Sequence, residues 1–321
     1  MARPSAVSLP TSCELCPRRC GANRAAGERG VCGAADQLRI ARAALHEWEE
    51  PLISVGPGSG AVFFSGCPLR CRYCQNDAIS MGFAGVDVDF GRLVEIFLEL
   101  QDERHAANIN LVTPTQYAPW IVPAVAEARR RGLHVPIVYN TSGYETAEAI
   151  RALEGTVDVY LTDFKYAPDA VSSAARDYSR APEYHDEALA ALDEMVAQVG
   201  EPVIGEHRYP VAGGEEAAPA LVRGVVVRHL VLPDRIDDSR HVVRELWERY
   251  GDRVLYSFMS QYTPMRPDAR YPELSRPTTP EEYEALLDFA DSLGLEDYFW
   301  QDGPAALESF IPHWDGTGVL P

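Results

Sequence analysis

Lysine is almost missing from this chain. Of 29 basic residues in 321, 28 are arginine and one, Lys165, is lysine. Cations as a whole are scarce against 48 acidic residues, which leaves a formal net charge of −19. A surface of that sign repels phosphate backbones and anionic lipid, so neither nucleic acid nor a membrane is expected as a partner. Long apolar runs are missing too. The longest uncharged stretch, 106–126, is interrupted by Asn108, Asn110 and three prolines and is too polar to span a bilayer. The opening "MARPSAVSLPTSCELC" lacks the apolar core of a secretory signal. Cysteine is absent from the last 247 residues (321 − 74), and all seven lie in the first 74. An odd number of thiols without an export signal is the usage of a reducing compartment, so a cytoplasmic location is expected.

Those seven cysteines fall into two sets separated by 34 residues. Cys13, Cys16, Cys20 and Cys32 lie in "CELCPRRCGANRAAGERGVC", and Cys67, Cys71 and Cys74 lie in "SGCPLRCRYCQND" at the spacing C-x3-C-x2-C. Scattered core thiols would not cluster in this way. The first set has the four ligands that a closed iron–sulfur cluster or a zinc ion needs. It holds a single C-x2-C knuckle where zinc ribbons pair two, which favours an auxiliary [4Fe–4S] cluster, with zinc as the alternative. The second set is one ligand short. Three thiolates can hold three irons of a cubane and leave the fourth open, and an open position is the mark of a catalytic site.

From residue 61 onward one unit recurs six times. Short apolar, β-branched stretches at 61–65, 109–112, 135–139, 157–162, 225–231 and 254–259 read as buried strands. Helical patterns follow at 90–102, 117–131, 145–154, 184–199, 240–250 and 281–293, the first with Asp89 as N-cap and the others closed by glycine. Six β-α units imply parallel strands with right-handed crossovers. The chemistry-bearing residues all follow strand ends, as in barrel enzymes, whereas a doubly wound sheet would gather them at one switch point. The expected fold class is therefore α/β, a partial (β/α)6 barrel over 51–321, preceded by a cysteine-rich metal-binding segment over 1–50. That segment is so rich in Gly, Arg and Cys that a bound metal is expected to supply its stability.

"CPLRCRYC" resembles the signature of the radical S-adenosylmethionine (radical SAM) superfamily, including the aromatic Tyr73 before the last cysteine. "NLVTPTQY", "PIVYNTSGYE", "VDVYLTDFKY", "VVRHLVLP" and "SFMSQYTPM" extend the resemblance to the PflX-type branch, proteins similar to the pyruvate formate-lyase activating enzyme. The resemblance implies that S-adenosylmethionine completes the [4Fe–4S] cluster on Cys67, Cys71 and Cys74. Reductive cleavage would then give a 5′-deoxyadenosyl radical that abstracts a hydrogen atom. It also implies an electron donor such as flavodoxin or ferredoxin, and a glycyl radical enzyme or a small metabolite as substrate. Lys165 and Asp163 of "DFK" fall where the family holds the cosubstrate carboxylate, and Asn140 and Ser142 of "NTSG" where it has an acidic motif. Arg228, Gln261 and Tyr262 match further cosubstrate contacts. Thr113 and Thr115 occupy the slot of a Gly-Gly-Glu that binds the amino group. A literal "GGE" at Gly213–Glu215 precedes the fifth strand in an acidic, alanine-rich stretch and is read as a solvated loop. Of eight histidines, His229 is expected near the site as a satisfied core residue. The rival class is a non-catalytic iron–sulfur electron carrier or zinc-binding adaptor.

Overall fold

The computed structural model describes residues 7–265, 268–301 and 312–321. Ten strands lie among them: β1 (Leu38–His46), β2 (Ser59–Phe64), β3 (Val86–Val88), β4 (Ile109–Val112), β5 (Ile137–Thr141), β6 (Val159–Asp163), β7 (Val203–Val211), β8 (Gly214–Leu230), β9 (Leu255–Met259) and β10 (Tyr298–Phe299). The helices are α1 (Asp77–Ser80), α2 (Phe90–Asp102), α3 (Ala118–Arg130), α4 (Ala147–Arg151), α5 (Ala174–Ser179), α6 (Tyr184–Val199), α7 (Ile236–Tyr250) and α8 (Pro280–Ser292). None of the described helices is long and apolar enough to cross a membrane.

Strands pair in the order β10-β9-β8-β6-β5-β4-β2-β1-β3, and the two ends of this path do not meet. Along this path every pairing from β2 to β10 is parallel. The sheet is thus an open, partial α/β barrel, as expected. Every residue of β2, β4 and β5 is buried, the condition of parallel strands covered on both faces. Helix α2 spans the expected 90–102, and the Asp89 carboxylate accepts from the Arg92 N–H at 2.8 Å to cap it.

Three features depart from the six-unit expectation. A two-residue seventh parallel strand, β10, follows α8 and pairs with β9. Strands β1 and β3 add antiparallel pairs beyond β2. Arg39 and Arg42 interrupt the apolar pattern of β1; Arg39 pairs across the sheet with Asp87 of β3, and Arg42 meets Asp315. Finally, β7 and the first half of β8 form a long hairpin, exposed on one face of β7 and only half-buried on the other, with no apolar core face to mark it. The "GGE" lies at its solvent-exposed turn, where Gly213 adopts φ +97°, in keeping with the solvated reading.

The cysteine-rich segment is held by more than its thiols. Val7, Leu9, Cys32 and Ala34 join the apolar cluster that also contains Ile40, Phe64 and Leu93. Arg24, fully buried, donates from Nε to the Ala35 carbonyl at 2.9 Å and from Nη1 to the Gln116 carbonyl. Arg18 donates to the carbonyls of Pro68 (3.1 Å), Leu69 (3.1 Å), Ser179 (2.7 Å) and Arg180 (2.5 Å). Two arginines therefore pin this segment to the loop after β2, to the turn after β4 and to the end of α5.

Candidate functional site

The C-terminal ends of β2, β4, β5, β6, β8 and β9 open into one cavity of about 220 Å³. Cys67, Cys71, Tyr73, Cys74, Thr113, Asn140, Ser142, Asp163, Lys165, Arg228, Gln261 and Tyr262 all line it. Residues more than 190 positions apart in sequence thus meet because each ends a parallel strand or follows one. A close approach of backbones shapes the wall. Gly143 has φ +72°, and a Cβ there would stand 2.3 Å from the Asp163 carbonyl, so only glycine lets the "NTSG" turn reach the end of β6.

A buried charge cluster forms the cavity's polar side. Arg228 pairs in register with Asp163 on the neighbouring strand. Its Nε donates to Asp163 Oδ1 at 2.9 Å, Nη2 to Asn140 Oδ1 at 2.7 Å and Nη1 to Glu49 Oε2 at 3.1 Å. Lys165 Nζ donates to the other Asp163 oxygen, Oδ2, at 2.6 Å. Burial pushes the Asp163 carboxyl up, but Arg228 and Lys165 outweigh it and hold the group below its usual range. Burial likewise opposes the Lys165 ammonium, and Asp163 followed by Cys71 overcomes this and raises it. Both groups are charged at neutral pH.

Sequence reasoning missed Glu49. It lines the cavity three residues after β1, outside the β-α repeat, and accepts from Asn110 Nδ2 (3.2 Å) and Asn140 Nδ2 (3.1 Å). Its only signal was an acidic pair beside the apolar "PLISV". Burial raises Glu49 and pushes its neighbour Glu50 up to about 7. His46 lines the cavity as well, edge-on to Phe63, with burial lowering its pKa. His229 is the satisfied core residue that was expected. Its Nδ1 lies 2.7 Å from the Phe164 carbonyl and its Nε2 lies 2.8 Å from Ser239 Oγ.

Around the three thiols the structure is tightly hydrogen-bonded. Ser179 Oγ donates to Cys71 Sγ at 3.2 Å, and the Tyr166 hydroxyl lies 2.6 Å from Ser179 Oγ and 2.8 Å from the Tyr73 hydroxyl. The Tyr73 ring meets Tyr166, Tyr178 and Tyr262 edge-on. Burial, then Cys71 and Cys74, push the Cys67 thiol up to about 12; burial, then Cys71, push Cys74 to about 11. Crowded thiols that resist ionisation need a cationic centre among them to become thiolates.

Thr113 and Thr115 part company. Thr113 faces the cavity with φ +57°, a left-handed conformation strained for a β-branched residue. Thr115 is not brought to the cavity. Its hydroxyl donates to buried Glu145 at 2.5 Å, and it lines a separate recess with Cys13, Cys16, Cys20 and Cys32. Strand alternation would put residues two apart on one side; the left-handed backbone at Thr113 and the 3-10 turn that begins at Thr115 break it and send the two threonines apart. In that recess a Cβ on Gly30 would lie 3.4 Å from both Cys20 Sγ and Cys32 Sγ, so the glycine leaves the sulfurs room. Burial and the neighbouring thiols push Cys16 up to about 12. Among the described residues no three His, Cys, Asp or Glu side chains are gathered for a single metal ion. A four-iron cluster takes each thiolate on a different iron, so its ligands span a body rather than meet at a point.

Residues 61–214 match the family model described as the radical SAM superfamily. The match takes in the three-cysteine loop, Asn140, Asp163 and Lys165, and stops short of Arg228, Gln261 and Tyr262. An uncharacterized protein of Methanocaldococcus jannaschii is 26% identical over 300 residues, covering 91% of this chain and 78% of that protein.

Proposed function

We propose that this chain, whose residues 61–214 match the radical SAM superfamily model, is an iron–sulfur enzyme that cleaves S-adenosylmethionine reductively for hydrogen-atom abstraction. The observation that carries this reading is the incomplete ligand set. Cys67, Cys71 and Cys74 share one cavity with a buried Asp163–Lys165–Arg228 cluster and with no fourth cysteine. The residues fit a [4Fe–4S] cluster and its cosubstrate. Three crowded thiols await a cationic centre, and fixed charges of both signs stand beside them to receive an amino acid moiety. When bound, the cluster delivers one electron that splits S-adenosylmethionine into methionine and a 5′-deoxyadenosyl radical.

The chain's own residues bind and orient. Lys165, with Asp163 fixing its ammonium, is the cation for the cosubstrate carboxylate, and Arg228 holds Asp163 and Asn140 in place. Ser142, Gln261 and Tyr262 wall the cavity, and Tyr73 supports the cysteine loop through Tyr166. Ser179 donates to the Cys71 sulfur, a bond of the kind that raises a cluster's potential.

The PflX-type resemblance makes a glycyl radical enzyme the first substrate to test, with a small metabolite as the alternative. Residues 1–50 serve as the second metal-binding segment, holding an auxiliary [4Fe–4S] cluster or zinc, with a flavodoxin or ferredoxin as cytoplasmic electron donor. A pure electron carrier or zinc adaptor has no use for the charged cavity. Anaerobic titration of S-adenosylmethionine into the reconstituted protein tests the reading. Saturable binding that is lost when Cys67, Cys71 and Cys74 become Ala is expected; no binding by the wild type leaves only the carrier.

A further inference from the structure

In a chain of net charge −19, one groove of about 710 Å³ is lined by four arginines, Arg18, Arg70, Arg72 and Arg180. Its lining holds a single carboxylate, Asp268, which Arg72 meets at 3.4 Å and Arg270 at 2.6 Å. Hydrogen bonds from Arg270 hold Asp268 down to about 2, so it is ionised and the lining carries a net charge of +3 (4 − 1). Among the described residues, Arg18, Arg70 and Arg180 meet no carboxylate. Arg18 and Arg70 donate only to main-chain carbonyls, and the exposed Arg180 side chain makes no hydrogen bond. Arg70 (φ +56°) and Arg180 (φ +53°) also stand in left-handed backbone, where glycine is unstrained and arginine is not. Both charges are thus kept at a conformational cost.

The groove lies against both cysteine sets. Arg18 and Val31 line it and also line the recess of Cys13, Cys16, Cys20 and Cys32, of which Cys20 is exposed. Ser179 lines it too, and donates to the Cys71 sulfur at 3.2 Å. Tyr73 and Tyr262, edge-on at 6.0 Å, line both the groove and the cosubstrate cavity and so stand between the two. A molecule seated in the groove is one side chain away from a cysteine of the open set, and the cavity stays free. Positive charge steers an acidic protein to such a face, and Val31, 45% exposed, offers it apolar contact. Electron-transfer encounters are of this small, charge-steered kind. We propose that the groove is the docking face of an acidic one-electron carrier protein, whose electron enters beside Cys71. This assignment rests on the function proposed above, which consumes one electron for each cosubstrate cleaved. The carrier is oxidised by one electron and the [4Fe–4S] cluster on Cys67, Cys71 and Cys74 is reduced by it, with no atom or proton transferred. An anionic substrate would suit the charge but gains nothing from a seat outside the cavity.

The experiment titrates oxidised flavodoxin, an acidic one-electron flavoprotein, anaerobically into reconstituted wild type and Arg70→Glu/Arg180→Glu protein at low salt. It then compares cluster reduction by flavodoxin hydroquinone with reduction by photoreduced deazariboflavin, a small uncharged reductant that needs no docking face. The double reversal is expected to weaken flavodoxin binding, and to slow reduction by flavodoxin, at least about tenfold, with the gap shrinking as salt screens the face. Iron content, S-adenosylmethionine affinity and the deazariboflavin rate are expected to stay within about twofold of wild type. Should the double variant lose iron, Arg180→Glu alone, whose side chain has no hydrogen bond to break, carries the test with an expected loss of at least about threefold. Equal flavodoxin binding by wild type and variant overturns the proposal and leaves the arginines to an anionic substrate. Equal slowing with both reductants also overturns it, because the arginines would then act on the cluster itself. A wild type that binds no flavodoxin at low salt overturns it as well. Arginine-dependent reduction by flavodoxin without cleavage of S-adenosylmethionine fails the functional reading but upholds the docking face.

Discussion

Replacing Lys165 by arginine keeps the charge and changes only its shape, so it isolates what the ammonium does. Asp163 divides its oxygens between two cations: Oδ1 accepts from Arg228 Nε at 2.9 Å and Oδ2 from Lys165 Nζ at 2.6 Å. A guanidinium at position 165 would find one free carboxylate oxygen where its fork favours two. The remaining N–H groups would have to turn into the cavity, toward the space in which a cosubstrate carboxylate meets the ammonium. That carboxylate would also be drawn into a bidentate pair, which competes with iron for its oxygens. At least one charge-assisted bond is lost, about 1.5–3 kcal/mol. The low end is about a tenfold rise in Kd for S-adenosylmethionine. The cavity beside Lys165 leaves room for the larger side chain, so the fold and full iron content are expected to survive. The assay is anaerobic titration of S-adenosylmethionine into Lys165→Arg and wild type, with iron counted in each. Equal affinities would refute the reasoning and would make the lone lysine an accident of composition.

Two further outcomes follow from the cysteines and from a buried acid. Anaerobic reconstitution should load about eight irons per chain, and replacing Cys67, Cys71 and Cys74 by Ala should halve that figure; about four irons with one zinc would make the N-terminal site structural. Glu145 has no exposed surface, accepts from Thr115 and Thr141, leaves Oε2 unpartnered, and is pushed by burial from 4.5 up to about 7. Its folded-state pKa is raised, so the protonated form's stabilisation is present below about 4.5 and is lost as pH rises through about 7. Glu145→Gln imitates the protonated group and should flatten this part of the pH profile. Its stability relative to wild type should improve by on the order of 1–3 kcal/mol between pH 5 and 8, read from paired anaerobic melts. A parallel pH dependence in both proteins would show that Glu145 is ionised throughout.

The repeating unit was legible because the inner strands are buried on both faces. Strand β4 is buried along its length and β6 in all but its last residue, so both read as compact apolar-rich runs, and the helices between them carry one apolar stripe. Helices 90–102 and 184–199 match their expected bounds, whereas the expected 145–154 shrinks to Ala147–Arg151. There Glu145 is drawn into the core by two threonines, and Thr146 caps the helix instead. Most of the site was legible too, since each residue follows a strand end. What escaped detection comes from outside that pattern. Strand β1 hides behind its arginines, and the β7–β8 hairpin has no fully buried face over most of its length. Glu49 reaches the cavity only because the chain turns inward after β1. Thr115 was misplaced because spacing along a loop does not reveal which way each side chain faces.

The central claim is that the open three-cysteine site cleaves S-adenosylmethionine. Dithionite-reduced, reconstituted protein should release 5′-deoxyadenosine and methionine in equal amounts, slowly and without any added substrate. The Cys71→Ala protein, assayed at matched concentration, should release neither. Equal release by the two proteins, or none from a wild type shown to carry its full iron, would contradict the account.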